Sequence, residues 1–196
     1  MNIKKYNMQS DCPYCVLGVA DTEAGRCIED EMRAWLEPRY RLIEIWHDGS
    51  LFEQPALRYM QDLCKETGEP CLYLHTRGAY NFHPSTTLRT RRMWRAQFGK
   101  ERDKYFGLVN VPEPTAACPF TGSEKYTWYN GFVANAEAMR SIPAIEPNED
   151  RMTFERIFRG SEVNVIGVFL NVPDKDNLES INAARAYLKA NYKSKI

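Results

Sequence analysis

The apolar run Cys71-Leu72-Tyr73-Leu74 stops on His75-Thr76-Arg77-Gly78. A run of that length predicts a buried strand, and the carboxyl end of a strand is where an open α/β sheet presents chemistry to a ligand. Imidazole, hydroxyl and guanidinium in succession offer positive charge and hydrogen-bond donors, with no carboxylate among them. That set suits an anionic ligand such as a diphosphate. Downstream, Arg77 to Lys104 carries eight basic residues against Glu101 and Asp103, a local charge of +6 in a chain whose formal net charge is zero. The segment reads either as one solvated helix face or as a phosphate-facing surface beside the strand end.

The other chemistry-bearing cluster is Cys12-Pro13-Tyr14-Cys15, which reproduces the glutaredoxin tetrapeptide and raises a thiol oxidoreductase as a competing function. Such chemistry needs a helix N-terminus to lower the thiol pKa. Here Val-Leu-Gly-Val-Ala follows, which predicts a strand. A zinc site on Cys12 and Cys15 lacks a second well-spaced pair, since His47, Cys64 and Cys71 are scattered. A disulfide framework does not suit 196 residues without an export signal.

Elements that position these residues are legible along the first half. Tyr14 to Ala20 reads as a strand. Asp21 or Thr22 caps a helix to Leu36, with Cys27, Ile28, Met32, Trp35 and Leu36 on its apolar face. Arg41 to Trp46 is a second strand, closed by His47-Asp48-Gly49-Ser50. A helix starts at Pro55, carries Leu57, Met60 and Cys64 on one side and stops at Gly68; the third strand, Cys71 to His75, follows. Strands alternating with helices predict right-handed crossovers and a mostly parallel central sheet flanked by helices, an α/β Rossmann-like fold. Asp21, Asp48 and His75 then share one rim.

The second half is less regular. Ala79 to Thr87 reads as a loop, followed by a helix through Phe98 and a strand over Tyr105 to Val111. Prolines 112, 114 and 119 mark an irregular passage. Tyr126 to Ala134 is strand-like, a short helix starts at Asn135, Arg151 to Phe158 is helical, Val163 to Val172 is a buried strand, and a last helix starts near Asp176 and buries Leu178, Ile181, Ala184 and Leu188. The chain is expected to form one domain over 1–196, with a nucleotide-binding half at about 12–85 and an acceptor-side half at about 86–196.

Phe52-Glu53-Gln54-Pro55-Ala56-Leu57, Leu72-Tyr73-Leu74-His75-Thr76-Arg77-Gly78, Arg92-Met93-Trp94-Arg95 and Trp128-Tyr129-Asn130-Gly131-Phe132 occur in that order. Together they resemble a group of small bacterial glycosyltransferase-like proteins with a Y-[LI]-H-T-[KR]-G strand end. Ile43 to Ser50 is similar to the D-G-S strand end of GT-A glycosyltransferases. The resemblance implies a GT-A-like fold and a nucleotide-sugar donor, with transfer to a saccharide or lipid-linked acceptor in polysaccharide or lipopolysaccharide assembly. It implies that Asp48 reaches the base or ribose, that His75, Thr76, Arg77 and Gly78 lie near the diphosphate with Arg95 in support, and that Trp94, Trp128, Asn130 and Gly131 border the sugar or acceptor. Each has a plainer reading: His75 satisfying a buried carbonyl, Trp94 as core, Arg95 paired with Asp103 or Glu101, Asn130-Gly131 as a turn.

GT-A enzymes usually hold manganese or magnesium with Asp-x-Asp at the strand end occupied here by His75-Thr76-Arg77. The only Asp-x-Asp, Asp174-Lys175-Asp176, is explained by helix capping. Without that motif, Arg77 with Arg92 or Arg95 is left to stabilise the leaving diphosphate by charge-assisted bonds. An inverting transfer also needs a carboxylate base, for which Glu155 and Asp150 are the candidates. A non-catalytic sugar- or nucleotide-binding module of the same fold is the alternative. The composition, 43% apolar and 27% charged, with no run near the roughly 20 apolar residues of a membrane span, fits a cytoplasmic protein. The absence of net positive charge argues against nucleic acid, and the +6 segment suits peripheral contact with anionic lipid.

Overall fold

A computed structural model describes residues 2–48, 53–76, 84–122, 125, 127, 131–146, 154, 156–172, 183 and 186–192. Strand β2 (Tyr14–Ala20), helix α1 (Glu23–Leu36), strand β3 (Arg41–His47), helix α2 (Gln54–Thr67) and strand β4 (Cys71–His75) follow the sequence pattern closely. Thr22 caps α1, its hydroxyl accepting from the Gly25 amide at 2.9 Å. Ile28, Met32, Trp35 and Leu36 are buried, whereas Cys27, expected on that face, is exposed. Gly68 ends α2 at φ 73°, the left-handed conformation that a side chain resists.

These strands are parallel, β2 lying between β3 and β4. They belong to a seven-stranded sheet ordered β1-β3-β2-β4-β6-β5-β7, with β1 (Asn2–Tyr6), β5 (Thr115–Gly122), β6 (Phe132–Ala134) and β7 (Asn164–Val172). Only β1 and β6 run against the common direction. The alternating faces of the strands feed two cores. Leu17, Leu42, Trp46, Leu72 and Leu74 pack against α1 and against Met93 and Trp94 of helix α3 (Pro84–Trp94). Val16, Ile43, Ile45, Cys71 and Tyr73 pack against α2 and helix α5 (Ala136–Arg140). Helices therefore sandwich the sheet, as the α/β expectation holds.

The structure departs from the sequence reading in three places. Tyr105 to Val111 is not a strand: helix α4 (Arg102–Val109) buries Tyr105 and Val109, four residues apart on one face. The proline-rich passage contains β5, in which Pro119 lacks an N–H and the register with β7 shifts between Cys118 and Phe120. Strand β1 was not legible at all; its alternation is mostly polar because it forms an exposed edge. Beyond α3 the chain continues as a π-helical turn (Arg95–Lys100), closed by the Glu101 amide on the Ala96 carbonyl at 3.2 Å.

Of the strand expected at Tyr126 to Ala134, only β6 is strand among the described residues. Phe154 and Phe158 are buried; of the helix expected over Arg151 to Phe158, half lies outside the described residues, Phe154 is helical and 156–158 form a turn, while the start of the last helix lies outside the described residues; residues 186–191 are helical and Leu188 is buried. Asn135 anchors the passage around β5. Its Nδ2 donates to the Val109, Val111 and Glu113 carbonyls at 3.3, 3.0 and 2.8 Å, and its Oδ1 accepts from the Thr115 and Ala138 amides at 3.1 and 2.9 Å. Among the described residues no helix is long and apolar enough to cross a membrane.

Candidate functional site

The chain leaves β2 through α1 to reach β3 on one side, then returns through α2 to place β4 on the other side. Connections that diverge this way open a crevice at the carboxyl ends of the two strands they separate, here β2 and β4. The rim is stitched by backbone. The Asp21 amide donates to the His47 carbonyl at 2.7 Å, and the Thr76 amide to the Gly18 carbonyl at 2.8 Å. The Thr76 hydroxyl accepts from the Ala20 amide at 3.0 Å, tying the end of β4 to the end of β2.

On this rim the expected donor residues take different parts. Asp48 is exposed just beyond β3, beside half-buried His47, whose pKa burial lowers and the Asp48 charge opposes. His75 is buried at the end of β4, on the α2 face. Its Nε2 lies 3.7 Å from Oε1 of Glu53, itself buried at the N-cap of α2. Tyr73 stacks on the imidazole at 6.3 Å between centroids, and Trp94 meets it edge-on at 5.6 Å. Thr76 is buried, its hydroxyl oxygen engaged by the Ala20 amide, so it shapes the rim. Arg77 and Gly78 lie outside the described residues.

Arg95 follows Trp94 directly. It stands in the π-helical turn leading to Phe98, whose carbonyl accepts from the hydroxyl of Tyr40, the residue before β3. It is exposed, and among the described residues it forms no ion pair with Asp103 or Glu101. The rest of the basic segment divides. Arg91 pairs with Glu31 of α1 at 3.5 Å; Arg102 pairs with Asp103 at 3.0 Å and donates to the Arg39 carbonyl at 2.7 Å. For those two arginines, structural pairing is the better reading.

Trp94 is fully buried, so it has no exposed ring face on which a sugar could stack; its indole is core, and a support for His75. Gly131 is brought to the same place. A Cβ there would fall 2.4 Å from Trp94 Nε1, so only glycine admits the indole. The acceptor-side residues Trp128 and Asn130, and the candidate bases Glu155 and Asp150, lie outside the described residues, as does the Asp174-x-Asp176 pair. Among the described residues no group of three or more His, Cys, Asp or Glu is placed to hold a metal ion.

Glu53 is the rim residue that sequence reading passed over. Its signal was a carboxylate directly before Gln54-Pro55 at the start of a helix, where it forms no side-chain capping bond. The Cys12-Pro13-Tyr14-Cys15 segment lies at the opposite edge. Cys15 is inside β2, wholly buried, and burial with the Glu44 charge pushes its thiol well up, the reverse of what thiol exchange requires. Comparison with known protein families, curated proteins and solved structures found no match to this chain.

Proposed function

We propose that the chain is a glycosyltransferase of GT-A type that binds a nucleotide-sugar at the β2/β4 crevice and transfers the sugar to a saccharide or lipid-linked acceptor. One observation carries the reading: the reversal of strand order at β2 brings Asp48 and His75, the two ends of the resemblance motifs, onto one rim. The N-terminus of α2 opens on the same rim, and its dipole favours an anion there.

In this reading Asp48 holds the base or ribose, while His75, Arg77 and the glycine after it surround the diphosphate. The acceptor hydroxyl oxygen attacks the anomeric carbon, and the bond from that carbon to the diphosphate oxygen breaks. The nucleoside diphosphate leaves with the electron pair, and the hydroxyl proton passes to a carboxylate, Glu155 or Asp150. Positive charge aimed at the departing diphosphate lowers the barrier only where charge develops. A manganese or magnesium ion bound by donor and chain together would add to that charge.

A thermal-shift screen of UDP-, GDP- and CMP-sugars, with and without manganese, tests the reading, since a ligand of the native state raises its melting temperature. The expected result is a shift for at least one donor that Arg77→Ala abolishes without altering the melting of the ligand-free protein. No shift with any donor overturns it. The second reading, a binding module that has lost catalysis, is favoured by His75-Thr76 at the strand end in place of paired carboxylates. Donor hydrolysis separates the two, because a module binds the donor and leaves it intact.

A further inference from the structure

We propose that Glu29 and Glu44 form a pH-sensitive latch for the edge strand: while the pair shares a proton it holds β1 on the sheet, and loss of that proton lets β1 leave β3 as a unit while β2, β3 and β4 stay paired. Glu44, in the middle of β3, lies opposite Lys4 of β1 in register and meets Glu29 of α1, the two being 0% and 3% exposed. Two carboxylates brought together at that burial do not both ionise, because each charge adds to the cost of the other. The groups facing the pair leave that conflict in place. On α1, Arg33 Nε lies 3.3 Å from Glu29, but the same guanidinium bonds Asp30 at 2.8 Å and the Tyr6 hydroxyl at 3.3 Å. On β1, Lys4 lies over the Trp46 ring at 4.0 Å. On β2, Cys15 brings a thiol that burial and the Glu44 charge keep protonated.

What the pair holds is β1. Tyr6, its last residue, donates to Glu44 Oε2 at 3.3 Å and lies under the Arg33 guanidinium at 5.5 Å; Trp46, covered by Lys4, donates to the same oxygen at 3.0 Å. Little else anchors the strand. Asn2, Ile3 and Lys5 are exposed, and in the sheet β1 pairs with β3 alone. So few buried apolar contacts make local opening cheap. Asn7 follows at φ 43°, a conformation asparagine tolerates, and residues 8–11 are exposed, so the strand has a hinge that leaves β2 in place. Helix α1 has no such freedom, because Ile28, Met32, Trp35 and Leu36 hold it in the core. Water therefore reaches an ionised pair by way of β1, and the outer edge of β3 is bared when it does. The latched pair binds a proton that the opened, hydrated pair gives up, so opening grows as pH rises and levels off above about 8, where the latched pair also loses it.

Native-state amide exchange of the whole chain tests the latch, read residue by residue by NMR from pH 5.5 to 9 and divided by each amide's intrinsic rate at that pH. In the parent, the amides of β1 and those of β3 bonded to it are expected to open about a hundredfold or more above the amides of β2 and β4. Their opening constant should rise about tenfold or more up to about pH 8 and then level off. Glu29→Gln and, independently, Glu44→Gln remove the rise. Tyr6→Phe, which takes away the bond to Glu44 and leaves the pair, raises β1 opening at every pH and keeps its pH dependence. A β1 opening flat with pH in the parent overturns the latch, because the strand then frays with the pair intact. A rise that persists unchanged in Glu29→Gln overturns it as well, as does Tyr6→Phe opening no more than the parent. Equal opening constants in β1, β2 and β4 overturn it by showing a single global event. Should the glutamine variants not fold, the parent and Tyr6→Phe decide by the same outcomes.

Discussion

Glu44 of β3 and Glu29 of α1 meet between the sheet and the helix, both almost wholly buried. Trp46 Nε1 and the Tyr6 hydroxyl donate to Glu44 Oε2 at 3.0 and 3.3 Å. Glu29 is the acid of the pair: burial first, then the bond to Glu44 and its charge, push its pKa up to about 8, against the opposing pull of Arg33, whose Nε lies 3.3 Å away. This arrangement also pins the edge strand β1, because Tyr6 bonds to it and Lys4 lies over the Trp46 ring at 4.0 Å.

Stability should therefore fall as pH rises across neutrality. A carboxyl with a native pKa above its unfolded value takes up a proton on folding, so its contribution is complete below the unfolded value of about 4.3 and is lost as pH rises through about 8. Glu29→Gln keeps a donor toward Glu44 and removes the titration. Thermal melts from pH 5 to 9 should show a decline in the parent and a flatter profile in the variant, which becomes the more stable of the two near pH 9. At this chain length each kcal/mol corresponds to about 2–4 °C. Parallel profiles for the two proteins would exclude a shared proton.

Thr76 holds the crevice closed at its base. Thr76→Val keeps the shape and removes the acceptor for the buried Ala20 amide, a loss of about 1–3 kcal/mol in urea unfolding. Thr76→Ser retains the hydroxyl and should remain close to the parent. Equal losses in both would assign the effect to packing of the methyl group instead.

How much of this was readable in advance follows from where the signals lie. The β2-to-β4 half was legible because buried parallel strands give continuous apolar runs and their helices carry cap, proline and glycine punctuation, as at Thr22, Pro55 and Gly68. Asp48 and His75 could be put on one rim from that pattern alone. Strand β5 was hidden because Pro119 contradicts a central strand unless a bulge absorbs it. Helix α4 was hidden because Tyr105 and Val109 belong to residue types enriched in strands, and only their four-residue spacing reveals the helix. Glu53 was missed for a different reason: its partner is 22 positions away in sequence and meets it only after the crossover is built.

Asn135 is expected to be the costliest polar side chain to remove among those described in the second half. Asn135→Ala deprives two amides and three carbonyls of their partners around β5 and α5. Each net bond is worth about 0.5–1.5 kcal/mol, and a buried group left unpaired costs about 1–3. Urea denaturation should show a loss of about 3 kcal/mol or more, while Asn135→Asp, which keeps the two acceptor bonds and the cap, loses less. A loss below about 1 kcal/mol in the alanine variant, the size of a lone helix cap, would mean that water replaces the side chain.

Thiol reactivity separates the proposed function from the redox alternative. Cys15, Cys64, Cys71 and Cys118 are buried, Cys12 is half-buried and Cys27 is exposed. Burial pushes the Cys15, Cys71 and Cys118 thiols up, so their reactive thiolate fraction at neutral pH is negligible. Titration of the native protein with a chromogenic disulfide at pH 7 should release signal promptly from Cys27 and more slowly from Cys12. The remaining four should react only after denaturation. Cys27→Ser should remove the fast phase. If instead the fast phase persists in Cys27→Ser and disappears in Cys12→Ser, the Cys12-Pro13-Tyr14-Cys15 segment holds an activated thiol, and thiol chemistry returns as a function of this fold.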